Sequence, residues 1–141
     1  MLRVRLITLA VALAAFAAVA AVAVAAPRTG YYIDPPIQVY LKTKGNKIKS
    51  FQAPCFVEAG TGGQDVQNGG FVIKGLHISK KGKFHYKGKV KLQNAGTSKV
   101  NVNIKGKIGK KATGSYEFTD PGSACHGKSF KAKYYGKNPQ G

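Results

Sequence analysis

Residues 83–92 read KFHYKGKVKL, and residues 99–108 read KVNVNIKGKI. In the first stretch Phe84, Tyr86, Gly88, Val90 and Leu92 alternate with Lys83, His85, Lys87, Lys89 and Lys91. In the second Val100, Val102, Ile104, Gly106 and Ile108 alternate with Lys99, Asn101, Asn103, Lys105 and Lys107. A strict period of two sends apolar side chains to one face of a strand and polar ones to the other. Both stretches are therefore half-buried strands with one wet face, as in an antiparallel sheet. Asn94-Ala95-Gly96-Thr97-Ser98 between them has turn composition, so the pair forms a hairpin. One allowed register sets Leu92 opposite Val100, Val90 opposite Val102, Gly88 opposite Ile104, Tyr86 opposite Gly106 and Phe84 opposite Ile108. Each inward glycine then faces a large side chain that covers it, which lets the sheet bend. The same register sets Lys87 across from Lys105, a mildly destabilising like-charge pair.

The same period extends outward from this hairpin. Ile37, Val39 and Leu41 alternate with Gln38, Tyr40 and Lys42, and Gly45-Asn46 turns the chain into residues 47–51. Residues 65–70 read as an exposed loop leading into Phe71-Val72-Ile73. At Gly75 the apolar phase slips, from Phe71 and Ile73 to Leu76 and Ile78, which predicts a bulge or corner. Lys80-Lys81-Gly82 is the next turn. Tyr116 and Phe118 share a face before an Asp120-Pro121-Gly122 turn, and Phe130, Ala132 and Tyr134 end the series. Short strands divided by regular turn signals predict an all-β, antiparallel β-sandwich or flattened barrel of about seven to eight strands.

Ahead of this body Arg3 and Arg5 precede an apolar run over residues 6–26, broken only by Thr8 and ending Ala23-Val24-Ala25-Ala26 before Pro27. A short positive region, an apolar region and an A-x-A ending predict a signal helix cleaved after Ala25. The run is nearly long enough to be a retained span, but it is dominated by Ala and only Arg28 follows it. The expected organisation is a signal peptide over 1–25, an N-terminal segment over 26–36, an antiparallel β-domain over 37–135 and a flexible tail over 136–141. No later segment is apolar enough to span a membrane, so the expected localisation is secreted or cell-surface associated. In that compartment Cys55 and Cys125, near opposite ends of the domain, are most simply a disulfide. A bridge closing a loop of that length is worth roughly 4 kcal/mol in the chain-entropy model.

The order of elements has a likeness. Ile37-Gln38-Val39, the turn at Gly45-Asn46-Lys47-Ile48, Phe51 and Cys55 come first. Residues 73–78, Gly82-Lys83-Phe84, residues 102–108, Gly114-Ser115-Tyr116 and Cys125 follow. This resembles a loose group of small secreted all-β proteins of high-GC Gram-positive bacteria that carry one early and one late cysteine. The resemblance implies the fold and the compartment, and it implies no catalytic residue. Where a Trp is expected near the end of that pattern, this chain has Tyr134-Tyr135.

After residue 25 the chain holds 20 lysines and Arg28 against only Asp34, Glu58, Asp65, Glu117 and Asp120, a net charge of +16. So few carboxylates argue against most hydrolases. Glu117 and Asp120 read as an outward strand residue and a turn residue rather than an acid–base pair. His77 and His85 fall on different expected strands with no third ligand at metal spacing. No P-loop, G-x-S-x-G, H-E-x-x-H or C-x-x-C is present. The sequence thus predicts a protein that is not an enzyme and uses no cofactor or metal.

The remaining signal is the wet face. Lys83, Lys87, Lys89, Lys91, Lys105 and Lys107 should form a cationic plate that attracts anionic cell-wall polymers or polysaccharide. Lysine almost without arginine points away from bidentate phosphate or base recognition, so no specific nucleic acid is expected. The same lysines also suit solubility and protection of strand edges. A neutral-glycan module is the alternative, using Tyr31, Tyr32, Tyr40, Tyr134 and Tyr135 as stacking platforms.

Overall fold

The computed structural model describes residues 27–60, 63–93 and 99–138. The expected signal helix, its cleavage point, the hairpin tip 94–98 and the last three residues of the tail lie outside the described residues. Eight strands follow one another: β1 (Gly30–Asp34), β2 (Val39–Lys44), β3 (Lys47–Ala59), β4 (Gln64–His77), β5 (Lys83–Lys91), β6 (Lys99–Ile108), β7 (Lys111–Phe118) and β8 (Ser129–Gly136). They form one antiparallel sheet in the order β4-β3-β2-β1-β8-β7-β6-β5. Every strand pairs with its sequence neighbour except β4 with β5, and β8 returns to pair with β1. The meander therefore curls into a nearly closed up-and-down barrel, the flattened-barrel form of the expectation rather than two stacked sheets.

The seam between β4 and β5 is fastened at its two ends. Ser79 N–H donates to Lys83 O at the turn, and Gln93 N–H donates to Gly70 O at the far end. Closure on the other side depends on β1, which lies within the stretch read as a separate N-terminal segment. Its Tyr32 is fully buried, lies 5.3 Å from the Tyr134 ring and donates its hydroxyl to Gly109 O. β8 likewise runs through Gly136, the first residue assigned to the tail.

Inward residues fill the barrel. Phe51 is the hub, with ring centroids 5.6 Å from Phe130, 6.1 Å from Phe71 and 6.4 Å from both Phe84 and Tyr116. Four facing positions explain how the sheet bends around this cluster. Phe84, Gly106, Gly114 and Phe130 are direct cross-strand neighbours on β5 to β8. A Cβ on Gly106 would collide with the Phe84 ring, and one on Gly114 would come 2.8 Å from the Phe130 ring. The two bare positions let both rings fold down over the sheet and tighten its curvature.

This row also corrects the expected hairpin register. Phe84 faces Gly106, Tyr86 faces Ile104, Gly88 faces Val102 and Val90 faces Val100, two residues from the register read in the sequence. Both registers preserve the alternation, and the choice between them is made by the need to seat Phe84 on a glycine. Lys87 consequently faces Asn103 rather than Lys105, which faces His85.

The apolar slip on β4 is as expected: Gly75 takes φ +80°, and burial passes from Phe71 and Ile73 to Leu76 and Ile78. β3 slips at the same level, from Ile48 to Phe51, so the two strands stay in register there. Residues 65–70, read as a loop, belong to β4 and pair with β3. They look loop-like in sequence because this arm projects past β2, which pairs with β3 only as far as Gln52. The edge so exposed is covered by the loop 119–128. Phe56 and His126 exchange backbone hydrogen bonds, and Cys55 is bonded to Cys125 with their Cα atoms 5.1 Å apart.

Candidate anion-binding surface

The six plate lysines sit on β5 and β6, whose inward residues are locked by the Phe84–Gly106 row. Lys83, Lys87, Lys89, Lys91, Lys105 and Lys107 are all exposed on the outer face. Cross-strand partners stand about 5 Å apart and successive outward residues about 7 Å apart. Lys83 faces Lys107 and Lys91 faces Lys99, whereas His85, Asn103 and Asn101 face Lys105, Lys87 and Lys89. The plate is thus a lattice of charges diluted by amides and an imidazole, and His85 Nε2 lies 3.0 Å from Asn103 Oδ1. Asn101 and Asn103 stand in the outward phase that the alternation gives them.

Carboxylates do not neutralise it by contact. Among the described residues the one ion pair joins Lys128 to Asp65. That contact holds the Asp65 carboxyl below the ordinary carboxylate range. Asp120 accepts hydrogen bonds from the Asn101 backbone and side chain, which hold its carboxyl low as well. Glu117 accepts from Asn103 Nδ2 at 3.4 Å. The two carboxylates are each taken up by a different asparagine. Asp34 is buried and accepts from Lys131 N–H.

Two hollows border the plate. One, of about 350 Å³, opens at the turn end of the β4–β5 seam, lined by His77, Ser79, Lys83, Phe84, His85 and Lys105. The two histidines do approach a common cavity, and no group of three potential metal ligands occurs among the described residues. The other, of about 470 Å³, lies under the loop 119–128 against the disulfide, Leu92, Val100 and Pro121. Its one carboxylate, Asp120, is already engaged by Asn101.

The tyrosines divide. Tyr32 is buried, and Tyr134 donates its hydroxyl to Thr29 O with Arg28 over its ring at 5.2 Å. Tyr31, Tyr40 and Tyr135 point outward on the neighbouring strands β1, β2 and β8, with Lys42 5.6 Å over the Tyr31 ring. Burial raises the hydroxyl pKa of Tyr116, whose proton is given to Pro54 O at 2.8 Å inside the barrel.

Fold and surface together define a disulfide-stapled up-and-down β-barrel with a filled interior and a lysine-rich exterior. No protein-family model matches the chain, and neither a curated protein nor a solved structure matches it. Among the described residues no helix is long and apolar enough to cross a membrane.

Proposed function

We propose that this chain is an exported, non-catalytic β-domain that binds anionic polymers of the cell envelope through the β5–β6 plate. The observation that carries the reading is the plate itself: six exposed lysines on two paired strands, none of them in an ion pair among the described residues. Such a surface releases condensed counterions when it meets a polyanion, so binding should be diffuse and steeply salt-dependent. The disulfide fits the oxidising compartment the leader implies.

Retention of the domain on isolated cell wall or on heparin tests this directly. It should fall steeply as salt rises, and Lys87→Gln, Lys89→Gln and Lys105→Gln together should lower it at low salt. Retention indifferent to salt would overturn the reading. Outward Tyr31, Tyr40 and Tyr135 on adjacent strands favour neutral-glycan stacking as a second reading. That binding would survive high salt and vanish with Tyr135→Ala.

A further inference from the structure

In an up-and-down barrel alternate turns lie at opposite ends, and this sorts the charges in a way the linear chain hides. The β2–β3, β4–β5 and β6–β7 turns share one rim with the start of β1 and the end of β8. Of four lysine–lysine cross-strand pairs among the described residues, three lie next to that rim, Lys44 with Lys47, Lys83 with Lys107, and Lys111 with Lys133, and one, Lys91 with Lys99, lies at the opposite end. Lys80, Lys81 and Lys110 lie exposed in the turns themselves. All five carboxylates beyond the leader sit away from it. Asp34 ends β1, Glu58 and Asp65 lie on the β3–β4 arm, and Glu117 and Asp120 lie at the end of β7 and in the loop after it. Like charges placed directly opposite oppose folding. Edge protection does not explain them either, since two of the three pairs join interior strands of the sheet.

The chain also enters the fold at this rim. Thr43 Oγ1 donates to Arg28 O, and Gly45 N–H donates to Thr29 Oγ1, so residues 28–29 are tied to the β2–β3 turn. Only Pro27, Arg28 and Thr29 separate β1 from the apolar run that ends at Ala26, a span of at most about 10 Å. Were that run held in a bilayer before cleavage, the three-residue link would bring the lysine rim to the headgroups.

We infer that the rim is a second surface, adjoining the plate at Lys83 and Lys107, that docks the barrel end-on against an anionic phospholipid bilayer. Basic side chains close to such a surface are attracted individually, and the attraction fades within a Debye length. Docking through the rim leaves the plate on the barrel wall free for polymer. The anionic bilayer, rather than a wall polymer, is the occupant favoured by the nearness of the apolar run.

The test compares two triple variants of equal net charge, prepared in the domain without its apolar leader; the buried core lies wholly within residues 32–132. One carries Lys80→Gln, Lys81→Gln and Lys110→Gln on the rim, and the other Lys87→Gln, Lys89→Gln and Lys105→Gln on the plate; Lys83 and Lys107 touch both surfaces and are left alone. Both are measured by co-sedimentation with vesicles of phosphatidylglycerol and phosphatidylcholine, and by retention on isolated cell wall. The rim variant should lose vesicle affinity by about tenfold or more, and the plate variant should stay within about twofold of the parent. Wall retention should show the reverse order. Equal loss by both variants on vesicles would mean that charge count alone matters and would overturn the inference. So would a parent domain that ignores phosphatidylglycerol, or a rim variant impaired only on cell wall. None of these vesicle outcomes bears on polymer binding by the plate, which the salt dependence of wall retention decides separately.

Discussion

At one end of the barrel the loop 119–128 is fixed to its surroundings by several independent ties. The disulfide joins it to Cys55, paired backbone bonds join His126 to Phe56, Lys128 meets Asp65, and Asn101 holds Asp120. At the other end, short turns carry lysines set opposite lysines. The first end holds the disulfide, the ion pair and all five carboxylates beyond the leader, together with one like-charge pair, Lys91 with Lys99. The second holds three of the four lysine–lysine pairs among the described residues, repulsion that the rest of the fold must offset. A small barrel tolerates such a rim because the opposite mouth is cross-linked and the Phe51 cluster lies between them.

The largest test of this contrast is removal of the covalent tie. Cys55→Ala with Cys125→Ala should cost about 2–5 kcal/mol in denaturant-unfolding experiments, since the bridge closes a separation of 70 residues. The loss should be greatest at low salt, where rim repulsion is least screened. A double variant as stable as the parent would show that the looped end is not what holds the barrel closed.

Next in size is the buried hydroxyl of Tyr116. Its hydrogen bond to Pro54 O ties β7 to the β3–β4 arm beneath the loop. Tyr116→Phe leaves that carbonyl without this donor and should cost about 1–2 kcal/mol. An unchanged unfolding midpoint would assign the contact to shape alone.

What the sequence revealed, and what it hid, follows the same division. The β5–β6 hairpin was legible because ten-residue runs alternate without a break, and the cysteine pair was legible from count and the expected compartment. The register was not, because a shift of two residues leaves every side chain on its own face. Only β7, through Gly114 beside Gly106, completes the row that seats Phe84 and Phe130. β1 was missed because five residues, GYYID, carry too little alternation to show a strand, and their partner β8 lies a hundred residues away. The polar half of β4 reads as a loop because most of its residues are exposed on both faces of the arm. The plate lysines could be named from their phase on two strands. The rim could not, since it exists only once the strand count and turn parity bring three separated turns together.

Acid should distinguish the two ends without any substitution. Asp65 and Asp120 have carboxyl pKa values lowered in the folded protein, the first by Lys128 and the second by the Asn101 backbone. A lowered folded value means that each contributes stability above the unfolded carboxyl pKa of about 3.9 and loses it as pH falls through the folded value. Amide exchange at Phe56, Asn101 and His126 should therefore accelerate below about pH 4, ahead of Ile108 N–H beside the rim turn, which donates to Gly82 O. Exchange that opens Ile108 first would place the acid-sensitive ties at the wrong end.

The smallest expected effect concerns one rim pair, and it carries an unusual sign for a surface substitution in a folded protein. Lys111 faces Lys133 across β7 and β8, and both are exposed. Lys111→Glu replaces a like-charge pair with an opposite-charge one and should stabilise the barrel by about 0.5 kcal/mol at low salt. Because the domain carries a large positive charge, any lysine-to-glutamate change relieves some general self-repulsion. Lys74→Glu is the matching control: it alters net charge equally, and Lys74 faces Ser50 rather than a lysine. The difference between the two variants isolates the pair and should shrink as salt screens it. Equal stabilisation by both would mean that the rim pairs are no more strained than the rest of the surface, and the contrast between the barrel's ends would lose its energetic basis.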